Sequence, residues 1–151
     1  MVIIERATSE DFEHICALDE TARGGPARRA GIGRALAQSR CVVARADGIV
    51  RGYLTLTHDF FGHGFVELLL VHPDFRRRGL ATTMMRAAEL DAPTDKLFTS
   101  TNQSNTAAQR LFERIGFVRS GIIENLDEGD PEIIYIKRLA PSTRPEDDDS
   151  D

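Results

Sequence analysis

Apolar and polar residues alternate along several short segments of the chain, and a period of two residues is typical of β-strands. Residues 65–71 are apolar on both faces apart from Glu67, which predicts a buried central strand. The pair Asp47-Gly48 separates two such segments and predicts a tight hairpin, because both turn residues must accept positive φ. Residues 58–64 are predicted to form an irregular loop. The predicted strands cover residues 2–6, 41–46, 49–57, 65–71, 96–101, 117–123 and 132–137.

Four other segments place apolar residues at the 3.6-residue spacing of amphipathic helices. Acidic residues follow Ser9 in the first turn of the first segment, where the helix dipole favours negative charge. Gly116 comes directly after the last segment, where a left-handed residue commonly ends a helix. The predicted helices cover residues 9–21, 27–39, 79–90 and 105–115. Strands and helices together predict one mixed α/β domain over residues 1–140.

The composition is that of a globular domain, with 41% hydrophobic and 28% charged residues in a chain of 151. The formal net charge is −5, but residues 141–151 alone contain five acidic residues and one arginine. The remainder is therefore nearly neutral, and we expect residues 141–151 to be a disordered acidic tail because they have little apolar surface to bury. The sequence pI of about 5.4 argues against a nucleic-acid partner.

The sequence also bears on the protein's compartment. No apolar run approaches the roughly 20 residues that a membrane-spanning helix needs. Residues 1–6 lack the basic and then apolar pattern of a secretion signal. Two cysteines, Cys16 and Cys41, are too few for a disulfide framework or a four-ligand zinc site. We therefore expect a cytoplasmic protein with reduced thiols, no membrane partner and no bound metal.

Candidate chemistry is concentrated in residues 68–82, where a strand ends, three arginines follow in a short turn, and Gly79 opens a helix. The start of a helix offers free backbone N–H groups and the positive end of its dipole, which suit a phosphate or pyrophosphate. Gly79 and Ala81 would let such a ligand approach the backbone closely. The alternative is an exposed basic turn that simply precedes a helix.

The pattern Arg76-x-x-Gly79-x-Ala81 after a strand resembles the pyrophosphate-binding signature of the GNAT acyltransferase superfamily. A later segment, Asn105-x-x-Ala108-x-x-Leu111-Phe112-x-x-x-Gly116-Phe117, resembles the second motif of that family. The resemblance extends to the order of elements from Val2 to Leu139. It implies a mixed, mostly antiparallel sheet of about seven strands with a central splayed parallel pair, flanked by four helices.

The resemblance implies that acetyl-CoA is the co-substrate and binds in the gap of the splayed sheet. Backbone groups at the end of the 65–71 strand would pair with pantetheine, amides of the turn and helix start would hold the pyrophosphate, and Asn105 would contact the pantetheine arm. An amine acceptor would attack the thioester directly. The cofactor-binding residues implied are Leu69, Leu70, Val71, Arg76, Arg77, Arg78, Gly79, Leu80, Ala81, Thr82 and Asn105.

The chain departs from the family pattern where protons are handled. Many relatives have a tyrosine at the position of Phe112 as general acid, and some have a glutamate at the position of Ser100 as base. Glu67 is the remaining candidate for a general base, with pairing to a neighbouring arginine as the alternative, because a buried strand carboxylate needs a compensating partner. Tyr135 is a weaker candidate for the acid, and packing in the sheet is its alternative role.

The acceptor itself is not identified by the sequence. The final hairpin carries an acidic cluster that would attract a cationic amine or form an ordinary solvated turn. Arginines in the second helical region would suit an acidic group or a group close to the CoA. The predicted activity is N-acetyl transfer to a primary amine of a small molecule or protein, and the alternatives are a non-catalytic CoA-binding module or an adaptor using the acidic tail. The resemblance also allows a homodimer. The acidic cluster of the hairpin consists of Glu124, Asp127, Glu128, Asp130 and Glu132, and the arginines of the second helical region are Arg23, Arg28, Arg29, Arg34 and Arg40.

Overall fold

The computed structural model of the chain describes residues 1–20 and 25–140. Within those residues it contains seven strands in one sheet and four α-helices. The strands are β1 (Val2–Arg6), β2 (Cys41–Ala46), β3 (Ile49–Phe60), β4 (His63–Val71), β5 (Lys96–Asn102), β6 (Val118–Ile123) and β7 (Glu132–Arg138). The helices are α1 (Phe12–Glu20), α2 (Pro26–Ala37), α3 (Leu80–Leu90) and α4 (Thr106–Arg114). The acidic tail, Arg23 and the predicted helix end at Thr21 lie outside the described residues.

The sheet has the strand order β1-β2-β3-β4-β5-β7-β6. Every neighbouring pair is antiparallel except β4 and β5, which run parallel at the centre. The predicted fold class, a mostly antiparallel sheet with one central parallel pair, is therefore confirmed. The predicted hairpin between β2 and β3 is present, and Asp47 and Gly48 both have positive φ, 52° and 81°.

Helices cover both faces of the sheet, and each face has its own hydrophobic cluster. On one face, α1 and α2 pack around Tyr53, and on the other, α3 and α4 pack around Leu54. The side chains of β4 follow the same alternation: Leu68 and Leu70 join the α1–α2 cluster, whereas Leu69 and Val71 join the α3–α4 cluster. The end of β4 is therefore in contact with both layers. In the part of the chain that the structure describes, no helix is long and apolar enough to span a bilayer.

The prediction of an irregular loop at residues 58–64 is wrong. Strand β3 continues to Phe60, and β4 begins at His63, so that Phe61 and Gly62 alone form the turn. Both residues have positive φ, 52° and 80°, which is the backbone of a two-residue hairpin turn. The sequence conceals this turn because phenylalanine rarely adopts positive φ. The ring of Phe60 packs 4.7 Å from that of Phe65 and so extends the hairpin.

Asp11 fastens the start of the first helical region to the sheet. It is 6% exposed, and its Oδ2 accepts hydrogen bonds from Arg45 Nη2 at 2.8 Å and from the Thr8 amide at 2.9 Å. The hydrogen bond from Arg45 lowers the pKa of Asp11 below its usual value of 3.8. Because the folded-state pKa is the lower one, the carboxylate stabilises the fold at pH values above 3.8, and that contribution is lost as the pH falls through the folded-state pKa.

We expect Asp11→Asn to lower the free energy of unfolding at pH 7 by roughly 2 kcal/mol, the scale of a hydrogen bond to a charged group. The difference between wild type and variant should shrink as the pH falls below about 3.8, because the wild-type carboxyl then becomes protonated. Urea unfolding measured from pH 7 to pH 2 checks both statements. Asp47→Asn is the control, because the side chain of Asp47 is 89% exposed, and a constant difference for Asp11→Asn at all pH values would contradict the assignment.

Candidate active site

The central parallel pair of strands separates partway along its length. Strands β4 and β5 are paired only from Gly64 to Val66, opposite Leu97 to Thr99. Glu67 directly follows Val66, the last residue of β4 that pairs with β5. On the β3 side of β4, Val66 pairs with Leu56 and Leu68 pairs with Thr55, so Glu67 has no partner and forms a bulge. A bulge bends its strand and increases the local twist. The rest of β4 therefore has no strand partner on the side of β5, which is the splay that the family resemblance implies.

A groove of about 1740 Å³ opens from this splay. This is larger than the roughly 300–1,000 Å³ of a pocket for a small drug-like molecule. The groove is bounded by the divergent ends of β4 and β5, the start of α3 and one side of α4. Six arginines and three glutamates line it, which makes it favourable for an anion: Arg28, Arg76, Arg77, Arg86, Arg110, Arg114, Glu67, Glu113 and Glu132.

The connection from β4 to α3 ends in an uncapped helix N-terminus. Arg77 and Gly79 have positive φ, 64° and 76°, and they turn the chain into α3. Thr83 is the first residue whose backbone amide donates a helical hydrogen bond, and it donates to the Gly79 carbonyl at 3.0 Å. The amides of residues 80–82 precede that bond and have no partner inside the helix. Together with the helix dipole they form an anion-binding site at the end of the groove.

The three arginines of this turn do not play equivalent parts. Arg76 and Arg77 are exposed and line the groove, and neither forms an ion pair with a described carboxylate. The guanidinium of Arg78 instead lies 4.9 Å from the centre of the Phe75 ring, which Arg51 also contacts at 4.8 Å. Arg78 is not among the residues that line the groove. Two of the three arginines therefore lie at the groove, and the third packs against the turn.

Most of the cofactor-binding residues predicted from the sequence are brought together by the fold. The groove is lined by Leu69, Leu70, Val71, Arg76, Arg77, Gly79, Leu80, Ala81, Thr82 and Asn105. Asn105 also caps α4, since its Oδ1 accepts a hydrogen bond from the Ala108 amide at 3.1 Å. Its contact with pantetheine stays a prediction.

The expectation that Glu67 is buried within a central strand is wrong. The residue is exposed, and its carboxylate makes no hydrogen bond or ion pair with any described residue. The physical reason is the splay, because β5 leaves β4 at this position and opens that side to the groove. The Glu67 carboxylate therefore bears no cost of burial. It remains a candidate base because it lies at the opening of the groove.

Tyr135 lies behind the groove and does not line it. It is 1% exposed, and its ring centre is 5.4 Å from that of Phe112, which does line the groove. Burial raises the pKa of the Tyr135 hydroxyl. The structure therefore favours the alternative role of packing in the sheet for Tyr135. Ser100 lies in the groove wall.

Two carboxylates of the acidic hairpin are already used to hold the structure together. Asp127 Oδ2 accepts a hydrogen bond from Asn102 Nδ2 at 2.8 Å, and Asp130 accepts bonds from the Ser104 amide and hydroxyl. These contacts fasten the β6–β7 turn to the end of β5. Of the five acidic residues in the hairpin, Glu132 is the one that lines the groove.

A polar cluster that the sequence does not predict lies on the α1–α2 side of the groove. Asp19 is 3% exposed, and its Oδ1 accepts a hydrogen bond from the hydroxyl of Tyr53, which is fully buried. The same oxygen lies 3.2 Å from Arg28 Nη2, and Arg28 lines the groove. The available signal in the sequence is that Asp19 follows Ile15 at the helical spacing of an apolar stripe. Among the described residues, no group of three or more His, Cys, Asp or Glu residues is suited to hold a metal ion.

Comparison with known proteins supports the class of enzyme that this groove suggests. Residues 35–117 match the model of the acetyltransferase (GNAT) family. A GNAT-family acetyltransferase of Bacillus cereus is 39% identical, with a TM-score of 0.87 over 93% of this chain and 99% of that one. The chain therefore belongs to the GNAT acetyltransferase family, and it is an acyltransferase.

Two further matches show the shared fold and a short region of sequence similarity. The NatC complex bound to Gag peptide and CoA has the same fold, with a TM-score of 0.77 at 18% identity over 92% of this chain and 99% of that one. A mycothiol acetyltransferase of Mycolicibacterium vanbaalenii is 46% identical over 51 residues, which are 34% of this chain and 17% of that protein. The match covers a small part of that curated relative, so the acceptor of that enzyme is not assigned to this chain.

The residues of the groove fit acetyl-CoA as a ligand. The uncapped amides of α3 suit the pyrophosphate, as do Arg76 and Arg77, which form no ion pair with a described carboxylate. Beyond Val66, the side of β4 that faces β5 has no strand partner, so its backbone groups are available to the amides of an extended pantetheine arm.

Proposed function

We propose that this enzyme transfers an acetyl group from acetyl-CoA to a primary amine by direct attack in a ternary complex. The single observation that carries the proposal is the continuity of the groove from the splay of β4 and β5 to the N-terminus of α3. One continuous site can hold the pyrophosphate at one end and expose the thioester at the other. Such an arrangement places the two reactants together and needs no nucleophilic side chain.

Acetyl-CoA supplies an activated acyl group, and the chain supplies positioning and proton transfer. A primary amine is protonated at neutral pH and must lose a proton before it attacks. Glu67 is suited to accept that proton, directly or through water, because its carboxylate is exposed at the point where the groove opens. The departing thiol has an ordinary pKa of about 8.5, so the thiolate can leave with little assistance.

We expect Glu67→Gln to lower kcat about tenfold or more, at the low end of the effect of a general base, while KM for acetyl-CoA changes little. Glutamine keeps the size of the side chain and removes its ability to accept a proton. Steady-state release of CoA thiol with a saturating amine measures the effect. Glu10→Gln is the control, because Glu10 is an exposed carboxylate outside the groove. An unchanged kcat in Glu67→Gln would remove Glu67 from the mechanism.

A non-catalytic CoA-binding module is the second candidate, and Phe112 favours it. The ring of Phe112 stands in the groove wall without a hydroxyl, and Tyr135 is shielded behind it. Thiol release across a panel of primary amines, with acetylated products followed by mass spectrometry, separates the two functions. We expect turnover of at least one amine by the wild type. Binding of acetyl-CoA without turnover of any amine would favour the module, and a gain of turnover in Phe112→Tyr would then identify the missing proton donor.

A further inference from the structure

The Asp19–Tyr53–Arg28 cluster is polar and largely buried, although neither anchoring of acetyl-CoA nor proton transfer uses it. Burial, followed by the hydrogen bond to Asp19, raises the pKa of Tyr53, so the tyrosine remains a hydrogen-bond donor to the Asp19 carboxylate. Asp19 in turn lies 3.2 Å from Arg28 Nη2. The two buried residues therefore fix one side of the Arg28 guanidinium.

Arg28 keeps N–H donors that Asp19 does not occupy. Its Nε is buried and has no hydrogen-bond partner among the described residues, although the side chain reaches the groove. The side chain as a whole is 38% exposed and lines the groove, so a ligand there can accept hydrogen bonds from the part of the guanidinium that is not buried. Guanidinium presents its N–H groups in a planar fork that matches the two oxygens of a carboxylate.

Arg28 lies on the opposite face of the sheet from the anion site of α3. Tyr53, Leu68 and Leu70 belong to the cluster formed with α1 and α2, whereas α3 packs against Leu69 and Val71. The groove connects the two faces through the splay of β4 and β5. A ligand anchored at the start of α3 and passing through the splay would therefore present its reactive end toward the side on which Arg28 lies.

We propose that Arg28 binds a carboxylate of the acceptor, so that the acceptor is an amine that also carries a carboxylate, as in a free amino acid or an acidic peptide. This inference rests on the proposed function. The unpaired carboxylate of Glu67 in the same groove complements the ammonium group of such an acceptor. Arg28 would then determine which amines are acetylated, and Asp19 and Tyr53 would be positioning residues.

The neighbouring arginine provides a matched control. Arg29 is on the same helix as Arg28, but it pairs with Glu13 at 2.6 Å and lies 4.8 Å from the centre of the Phe12 ring, outside the groove. Replacement by lysine keeps the positive charge at either position, which preserves the compensation of buried Asp19 in Arg28→Lys. Lysine lacks the planar fork, so the two substitutions differ in their effect on a carboxylate ligand and not in net charge.

The test uses pairs of amines that differ only in whether they carry a carboxylate or the corresponding carboxamide. We expect the wild type to prefer the carboxylate by about tenfold or more in kcat/KM, because the carboxamide leaves the guanidinium without its matching partner. In Arg28→Lys the preference should fall to about one, chiefly through a higher KM for the carboxylate, whereas Arg29→Lys should keep it. Melting temperature and calorimetric binding of acetyl-CoA confirm that each variant is folded and binds the co-substrate.

The outcomes separate this inference from the proposed function. Equal kcat/KM for carboxylate and carboxamide in the wild type, or a preference that survives in Arg28→Lys, would overturn the role of Arg28 while acetyl transfer stands. Binding of acetyl-CoA with no acetylation of either kind of amine would overturn both. Free amino acids and peptides with a blocked C-terminus and an acidic side chain form two arms of the panel, and the arm that shows the Arg28-dependent preference identifies the source of the carboxylate.

Discussion

Gly79→Val is expected to weaken binding of acetyl-CoA at least about a hundredfold while the protein remains folded. Gly79 has a φ of 76°, which is strongly disfavoured for a β-branched residue, so valine should turn the backbone out of the left-handed region. The amides of residues 80–82 would then no longer converge on one point. Hydrogen bonds to a charged group contribute roughly 1.5–3 kcal/mol each, so the loss of two weakens binding at least about a hundredfold.

Isothermal titration with acetyl-CoA measures this effect, and Gly48→Val is the control. Gly48 has a φ of 81° and no atom within 4 Å of an added Cβ, as is also the case for Gly79, but it lies in the β2–β3 turn. Both substitutions should lower the free energy of unfolding by a similar amount, roughly 1–2 kcal/mol. Gly48→Val should therefore bind acetyl-CoA normally. If Gly79→Val also bound it with wild-type affinity, the pyrophosphate would have to lie elsewhere.

Met84→Ala is expected to lower the free energy of unfolding by about 3 kcal/mol, within the range measured for truncation of a buried methionine. Met84 is fully buried on α3, and its Cε lies directly over Gly52 of β3. Truncation leaves a cavity between α3 and the sheet. Denaturant unfolding measures the loss, and Leu90→Ala on the same helix is the control, because Leu90 is 86% exposed and should change stability by less than about 0.5 kcal/mol.

Gly52 gives this prediction a second test. A Cβ added to Gly52 would lie 2.9 Å from Met84 Cε and 3.2 Å from the Leu70 carbonyl oxygen, so Gly52→Ala alone should cost about 1–2 kcal/mol. In the Met84→Ala background the closer of these contacts is removed and the methyl group enters the cavity. The double variant should therefore be about 1 kcal/mol more stable than the two single effects predict. Strictly additive effects would contradict the packing of Met84 on Gly52.

Local signals in the sequence were sufficient wherever one residue type governs the backbone. The bounds of β2 are confirmed, because alternation starts at Cys41 and Asp47-Gly48 ends it. Gly79 was expected to open α3, and it does so with positive φ. The splay of β4 and β5 was expected from resemblance to a family, since nothing in the periodicity of either strand shows where their pairing stops.

The errors arose where a distant part of the chain determines the environment of a residue. Glu67 has the pattern of a buried strand residue, but its exposure depends on the departure of β5, which is about thirty residues away in the sequence. The Phe61-Gly62 turn adopts a backbone that phenylalanine alone disfavours. The burial of Asp19 depends on Tyr53 and Arg28 together, and no single periodicity contains all three residues.

A crystal structure of the protein with bound CoA tests the central claim most directly. We expect the pyrophosphate to lie against the amides of residues 80–82, with Arg76 and Arg77 beside it. We also expect the pantetheine arm to lie between β4 and β5 beyond Val66, where β4 has no strand partner on that side. CoA bound outside this splay, or with its pyrophosphate away from the start of α3, would contradict the account.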